Sequence, residues 1–219
     1  MKDNALSKTV LIGFALIELA STILIFIADK FSIFDTMVLK SIILCFLFSL
    51  LGYKKDRGHF IVLGFIGTLV ADYFLLVRED NYLVGVISFI VVQIMYFLYI
   101  KPKHWKISLI IRGSLFVLIS LIAGFALKVN DVTAYFAIFY FSNLAMNAID
   151  SFLMGEKYLC LAIGLLLFMG CDLSVGFHNL SSYITYSSNI IDGIVKFSQL
   201  GMWLFYVPSQ ALIAISIHF

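Results

Sequence analysis

Eight apolar runs follow one another with only short polar breaks between them. They cover residues 9–28, 36–53, 58–77, 82–100, 107–127, 132–153, 158–179 and 195–216. Each is close to the roughly 20 residues a helix needs to cross a hydrocarbon core. Inside a bilayer every backbone N–H and C=O must be satisfied within the protein, so such runs fold as helices. The expected fold is therefore all-α: a polytopic membrane protein, an eight-transmembrane-helix bundle forming one integral membrane domain over 1–219. Composition agrees, with 62% hydrophobic and 13% charged residues, where soluble domains carry about half and a quarter. No sizeable soluble domain fits between the runs. The first run is too long for a signal-peptide core and reads as a retained helix.

The breaks carry the topology. Pro102, in the basic stretch Lys101–Lys106, stops the fourth helix. Ten Lys and Arg fall on the side of the N-terminus and of the breaks after helices two, four and six: Lys2, Lys8, Lys54, Lys55, Arg57, Lys101, Lys103, Lys106, Arg112 and Lys157. Five fall on the other side: Lys30, Lys40, Arg78, Lys128 and Lys196. Basic loops stay in the cytoplasm, so both termini are expected there, in the cell membrane. The net charge of +2 gives no argument for a nucleic-acid partner. Cys45, Cys160 and Cys171 lie within apolar runs and make no disulfide framework. The four histidines are scattered near segment ends, so no metal-ligand spacing arises and no cofactor is implied. The polar stretch 180–194, the longest break, reads as a loop of the kind that forms lids.

Two of the runs contain a matching stretch. Gly64–Asp72 and Gly164–Asp172 each end in a lone Asp eight residues after a Gly, one hundred positions apart. A carboxylate at membrane depth costs about 2.5–3.5 kcal/mol on insertion scales. Each Asp is thus a functional candidate, the plainer reading being a hydrogen-bond partner between helices. Both lie fourteen residues into outward-running helices, about 21 Å up at 1.5 Å per residue. Lys40, Gln93, Asn143, Tyr206 and Gln210 fall between that level and mid-membrane. Asn147 shares a face with Asn143, and Gln210 with Tyr206. Lys40 either snorkels to the headgroups or faces inward. Glu18, in mid-helix, either pairs with another helix or joins a site, and Asp150, near a helix end, reads as an interfacial carboxylate. Pro208 should kink the last helix. The repeated stretches suggest two parallel four-helix halves related by an axis along the membrane normal.

Two carboxylates in a poorly solvated cavity cannot both ionise cheaply, so one is expected to hold a proton while the other stays charged. That suits general acid–base chemistry. Without a nucleophilic Ser–His pair, the fitting reaction is acid-initiated hydrolysis of an acid-labile bond, such as a vinyl ether. Protonation of its alkenyl carbon gives an oxocarbenium ion, and water then gives a hemiacetal that collapses to an aldehyde and an alcohol. Asp72 and Asp172 are the expected catalytic pair. Lys40, Gln93, Asn143, Asn147, Tyr206 and Gln210 are the expected substrate-binding groups.

Several stretches bring a family into view. Phe65–Leu76 resembles an apolar-Phe-Ser-x-x-Gly-Asp-x-x-Leu pattern. Gly164–Asn179 is similar to Gly-Ala-x-x-Phe-x-x-Ser-Asp, with Phe168 and Asp172 in register. Tyr206–Ser216 resembles Tyr-x-x-x-Gln-x-Leu-Ile-Ala. Ser88, Phe89 and Tyr96 match Ser-Phe-x-x-x-His-x-x-Tyr, and Lys40 matches a lysine opening the second helix. These are patterns of the YhhN family of eight-helix membrane proteins, whose characterised members are lysoplasmalogenases. The chain departs from the patterns at Ala71 for Gly, Gln93 for His, Cys171 for Ser and Ser41 for Pro. The resemblance implies a lysophospholipid or other single-chain lipid as substrate. Two other readings stand beside the hydrolase: a small proton-coupled transporter, since Asp pairs at membrane depth also carry ions, and a non-catalytic lipid-binding membrane protein.

Overall fold

The computed structural model describes residues 8–27, 31–78, 81–126, 128–180 and 189–219. Among them the chain is all-helical, with eight α-helices. They are α1 (Lys8–Ile27), α2 (Phe31–Leu50), α3 (Gly58–Asp72), α4 (Tyr82–Ile100), α5 (Trp105–Ala126), α6 (Val132–Leu153), α7 (Leu159–Leu180) and α8 (Asn189–Ser216). Among the described residues, six helical stretches are long and apolar enough to cross a membrane, and α2 and α8 contribute the shorter apolar stretches Thr36–Leu50 and Gly201–Ser216. Large apolar side chains point outward along most of them, as Ile12, Leu16 and Leu19 do on α1 and Ile110, Leu118 and Ile122 on α5. An apolar exterior this continuous is not what a soluble monomer presents.

α4 and α6 have the expected ends. α4 stops with Lys101 in the left-handed region at φ 46° before Pro102. α6 starts behind Asp131, whose carboxylate accepts from the Thr133 N–H at 2.9 Å. Two expected breaks are shorter than predicted. α2 begins at Phe31 rather than 36, because the apolar residues of Phe31–Phe34 extend the run. α8 begins at Asn189 rather than 195, so 189–194 is helix and not loop; Ile190, Ile191, Ile194 and Val195 already repeat at helical spacing. The remainder of the expected lid, 181–188, lies outside the described residues. The third run changes character at its Asp. α3 ends at Asp72 and the chain continues as a π-helical segment, Tyr73–Arg78. Such segments recur at functional sites because the extra residue re-aims the side chains that follow.

The helices pack as a ring in which α2, α3, α4, α6, α7 and α8 each touch the next, and α8 closes on α2. α1 lies against α2 and α8, and α5 against α6. The Arg112 guanidinium of α5 also stands 4.7 Å over the Phe97 ring of α4. The two repeated glycines do equivalent work in this ring. A Cβ on Gly64 would come 2.7 Å from Tyr96 of α4, and one on Gly164 would come 3.0 Å from the Ser209 carbonyl of α8. Gly64 thus lets α3 approach α4, and Gly164 lets α7 approach α8.

Candidate active site

A cavity of about 600 Å³ opens between α3, α4, α6, α7 and α8, near the Asp-bearing ends of α3 and α7. Both Asp72 and Asp172 line it. Asp72 is buried and ends α3, just where the helix widens into the π segment. Its partner comes from α8: the Tyr206 hydroxyl lies 2.7 Å from each carboxylate oxygen. On the opposite wall Asp172 faces the Tyr140 hydroxyl of α6. Neither the Tyr140 hydroxyl nor Oδ2 of Asp172 completes a hydrogen bond to protein. Cys171 is within electrostatic reach of both carboxylates, which puts the two acids around one space. Each carboxylate therefore has one tyrosine beside it, and the two pairs differ in that Tyr206 is engaged and Tyr140 is open.

The rest of the wall is apolar and aromatic. Phe168 packs edge-on to Phe89 at 5.5 Å and tilted against Tyr206 at 5.5 Å, while Phe89 stacks on Tyr140 at 5.4 Å. Ile119, Ala137 and Phe141 extend the lining to α5 and α6. Ligand pockets of roughly 300–1,000 Å³ with few convergent polar groups are the usual form of a small-molecule site. A cavity built this way can hold an apolar chain, with the carboxyl groups of Asp72 and Asp172 in its wall.

Of the eight expected site residues, the structure brings Asp72, Asp172 and Tyr206 to this cavity, and the other five do not line it. The single polar layer expected from helix depth is thus corrected. Gln93, Asn143 and Asn147 meet instead in a separate buried cluster built on Arg112. Arg112 donates to Oδ1 of Asn147 at 2.9 Å, Oδ1 of Asn143 at 3.2 Å and Oδ2 of Asp150 at 2.7 Å. Ser108 donates to Asp150 at 2.6 Å, and the Asn147 amide donates to both the carbonyl and Oε1 of Gln93 at 2.9 Å. Depth alone placed these residues with the Asp pair, but their rotation about α4 and α6 turns them towards α5. Asp150 is an internal ion-pair partner rather than an interfacial carboxylate, and Arg112 a buried residue rather than a loop charge.

Lys40 is exposed on α2 and does not face into the bundle. Gln210 is fully buried one turn from Tyr206, and its Nε2 donates to Ser209 at 3.4 Å. Glu18 takes the interhelical alternative: it accepts from Ser41 at 2.5 Å and from the Cys45 thiol at 3.6 Å, joining α1 to α2. Ser41, which stands where the YhhN pattern has Pro, supplies the shorter of those bonds. Tyr140 and Trp203 line the cavity without having been singled out in the sequence.

Comparison with known proteins adds one finding. A family model described as YhhN matches residues 32–217. No curated protein and no solved structure matches the chain.

Proposed function

The chain belongs to the YhhN family, and from that membership and the geometry of the cavity we propose that it is a membrane-embedded hydrolase cleaving the vinyl ether bond of lysoplasmalogen-type single-chain lipids. The observation that carries the reading is the pair of carboxylates, Asp72 and Asp172, on one apolar cavity, each beside a tyrosine hydroxyl. One carboxyl gives its proton to the alkenyl carbon next to the ether-bearing carbon. The resulting oxocarbenium ion lies against the Phe168 and Tyr206 rings, whose faces attract a cation. Water adds to the cationic carbon and loses a proton to the other carboxylate. The hemiacetal then collapses, releasing a fatty aldehyde and a glycerophospho-alcohol, and the two carboxyls together hold one proton as at the start. The apolar lining from Phe89 to Ile119 suits the alkenyl chain.

The same reading takes the bundle as spanning the membrane with both termini cytoplasmic and with two parallel halves. The equivalent seams support it: α4 packs on α6 as α8 packs on α2. Purified protein incubated with lysoplasmalogen should release free aldehyde. Asp72→Asn and Asp172→Asn should release none, because an amide serves as neither acid nor base at neutral pH. Full activity in both variants would remove the enzymatic reading. The π segment adjoining Asp72 favours a second reading, ion carriage through a broken helix. Proton flux in liposomes without aldehyde release would select it.

A further inference from the structure

Directly beneath the Asp72–Tyr206 pair lies a second set of polar groups that the mechanism above does not use. α3 and α8 run antiparallel, so one turn back from Asp72 and one turn on from Tyr206 lead in the same direction. Those steps reach Thr68 and Gln210. Tyr96, reaching in from α4 where Gly64 leaves room for its ring, turns its hydroxyl towards Thr68 and lies within electrostatic reach of Asp72. All three side chains are fully or almost fully buried. Yet Oγ1 of Thr68, the hydroxyl of Tyr96 and Oε1 of Gln210 make no hydrogen bond to any protein group.

The first rung between the two helices is thus closed by a direct bond and the second is open. Buried polar atoms in native proteins almost always have partners. Three hydrogen-bonding oxygens on three helices meet the requirement of an internal water, which takes two to four polar partners. The hydroxyls of Thr68 and Tyr96 can each give or take a hydrogen bond, and Oε1 of Gln210 can only accept. A water placed there can donate to Gln210 and to one hydroxyl while accepting from the other, so every group is satisfied.

We propose that Thr68, Tyr96 and Gln210 form an internal water site one helical turn beneath Asp72, and that this water exchanges protons with the Asp72 carboxyl during turnover. The second half of the proposal rests on the hydrolase reading; the first does not. In that cycle the proton released by the attacking water must return to the carboxyl that began the reaction. A water behind Asp72, outside the substrate cavity, provides a donor and acceptor that bound lipid does not displace. The three residues are positioning residues, and their removal acts on proton transfer rather than on lipid binding.

The site is tested by a map of the wild-type protein at a resolution that shows ordered water, beside maps of Thr68→Val and Thr68→Ser. Density is expected among the three oxygens in the wild type and in Thr68→Ser, and none in Thr68→Val. Direct bonding of the three side chains with no density between them would overturn the site. The role is tested with lysoplasmalogen. Thr68→Val, Tyr96→Phe and Gln210→Leu should each lower kcat about ten- to a hundredfold with KM unchanged, and Thr68→Ser should restore it. A raised KM at unchanged kcat, or turnover in Thr68→Val equal to wild type, would overturn the relay. If Asp72→Asn keeps full activity while the water density is present, the hydrolase reading fails and the water site stands.

Discussion

Tyr206 reaches Asp72 from a helix 134 positions away and touches both oxygens. That bidentate contact fixes the plane of the carboxyl relative to the cavity, so it bears on orientation as well as on charge. Removing only the hydroxyl, in Tyr206→Phe, keeps the ring against Phe168. A lost hydrogen bond to a charged group is worth about 1.5–3 kcal/mol, so aldehyde release should fall about ten- to a hundredfold in kcat/KM. Wild-type kinetics in this variant would mean that the contact is structural only. A second residue bears on pH. His218, beyond the end of α8, packs its ring on Phe48, leaves both ring nitrogens without a partner and lies near Lys55. Burial, and after it the Lys55 charge, push its pKa below the usual value. The unfolded chain therefore binds this proton more readily than the folded one. Its contribution to stability is complete above the ordinary histidine value of about 6.5 and is lost as pH falls through the lower folded value. The unfolding midpoint should drop on acidification from pH 7 towards 5, and His218→Phe should flatten that slope; an equally steep slope in the variant would exclude His218 as its source.

Among the elements, α5 has the least conventional anchorage. Much of its surface is apolar and exposed, and its polar ties to α6 centre on the Arg112–Asp150 pair, both partners buried, at 2.7 Å. Breaking a buried pair by removing one partner leaves an uncompensated charge and costs about 3–5 kcal/mol. Arg112→Ala and Asp150→Ala should therefore each lower the thermal unfolding midpoint strongly, and the double variant Arg112→Met with Asp150→Leu should recover much of the loss. A double variant worse than either single one would show that the other members of the cluster, Asn143 and Asn147, depend on the ion pair for their own satisfaction. Little of this was legible in the sequence. Arg112 sits seven residues into its helix, where it reads as one more basic residue near a cytoplasmic end. Its partner is 38 positions away, and no local pattern joins them. The repeated Gly-to-Asp stretch was legible, because a lone Asp in an apolar run and a glycine at fixed spacing are both local signals. What followed Asp72 was not: the apolar run continues unbroken through Val77, and hydropathy does not distinguish an α turn from a π turn.

For the whole molecule, hydropathy and punctuation gave eight helices, with the ends of α4 and α6 as expected, the starts of α2 and α8 earlier, and the end of α2 at Leu50 rather than 53. Depth in the bilayer was readable from counting residues, but rotation was not. Each residue turns its helix by about 100°, so a slightly misjudged axis moves Asn143 or Gln93 from one neighbour to the next. This is why the two Asp residues, fixed by a repeat, reached a common cavity, while Lys40, fixed by depth alone, did not. The orientation of the bundle rests on a different count. Taking the buried Arg112 out of the loop tally leaves nine basic residues on one side against five on the other, so the bias survives the correction. An even number of crossings returns the chain to the side it started from, and α1 packs directly on α8. Basic residues resist translocation, so the proposed orientation keeps the breaks after α2, α4 and α6 inside. A reporter enzyme active only in the cytoplasm, fused after Phe219, should therefore be active, and one active only outside should be silent at the same position. Fused in the break between α5 and α6, next to Lys128, the two should exchange behaviour. Activity outside at Phe219 would reverse the bundle and place the cavity of Asp72 and Asp172 towards the cytoplasm.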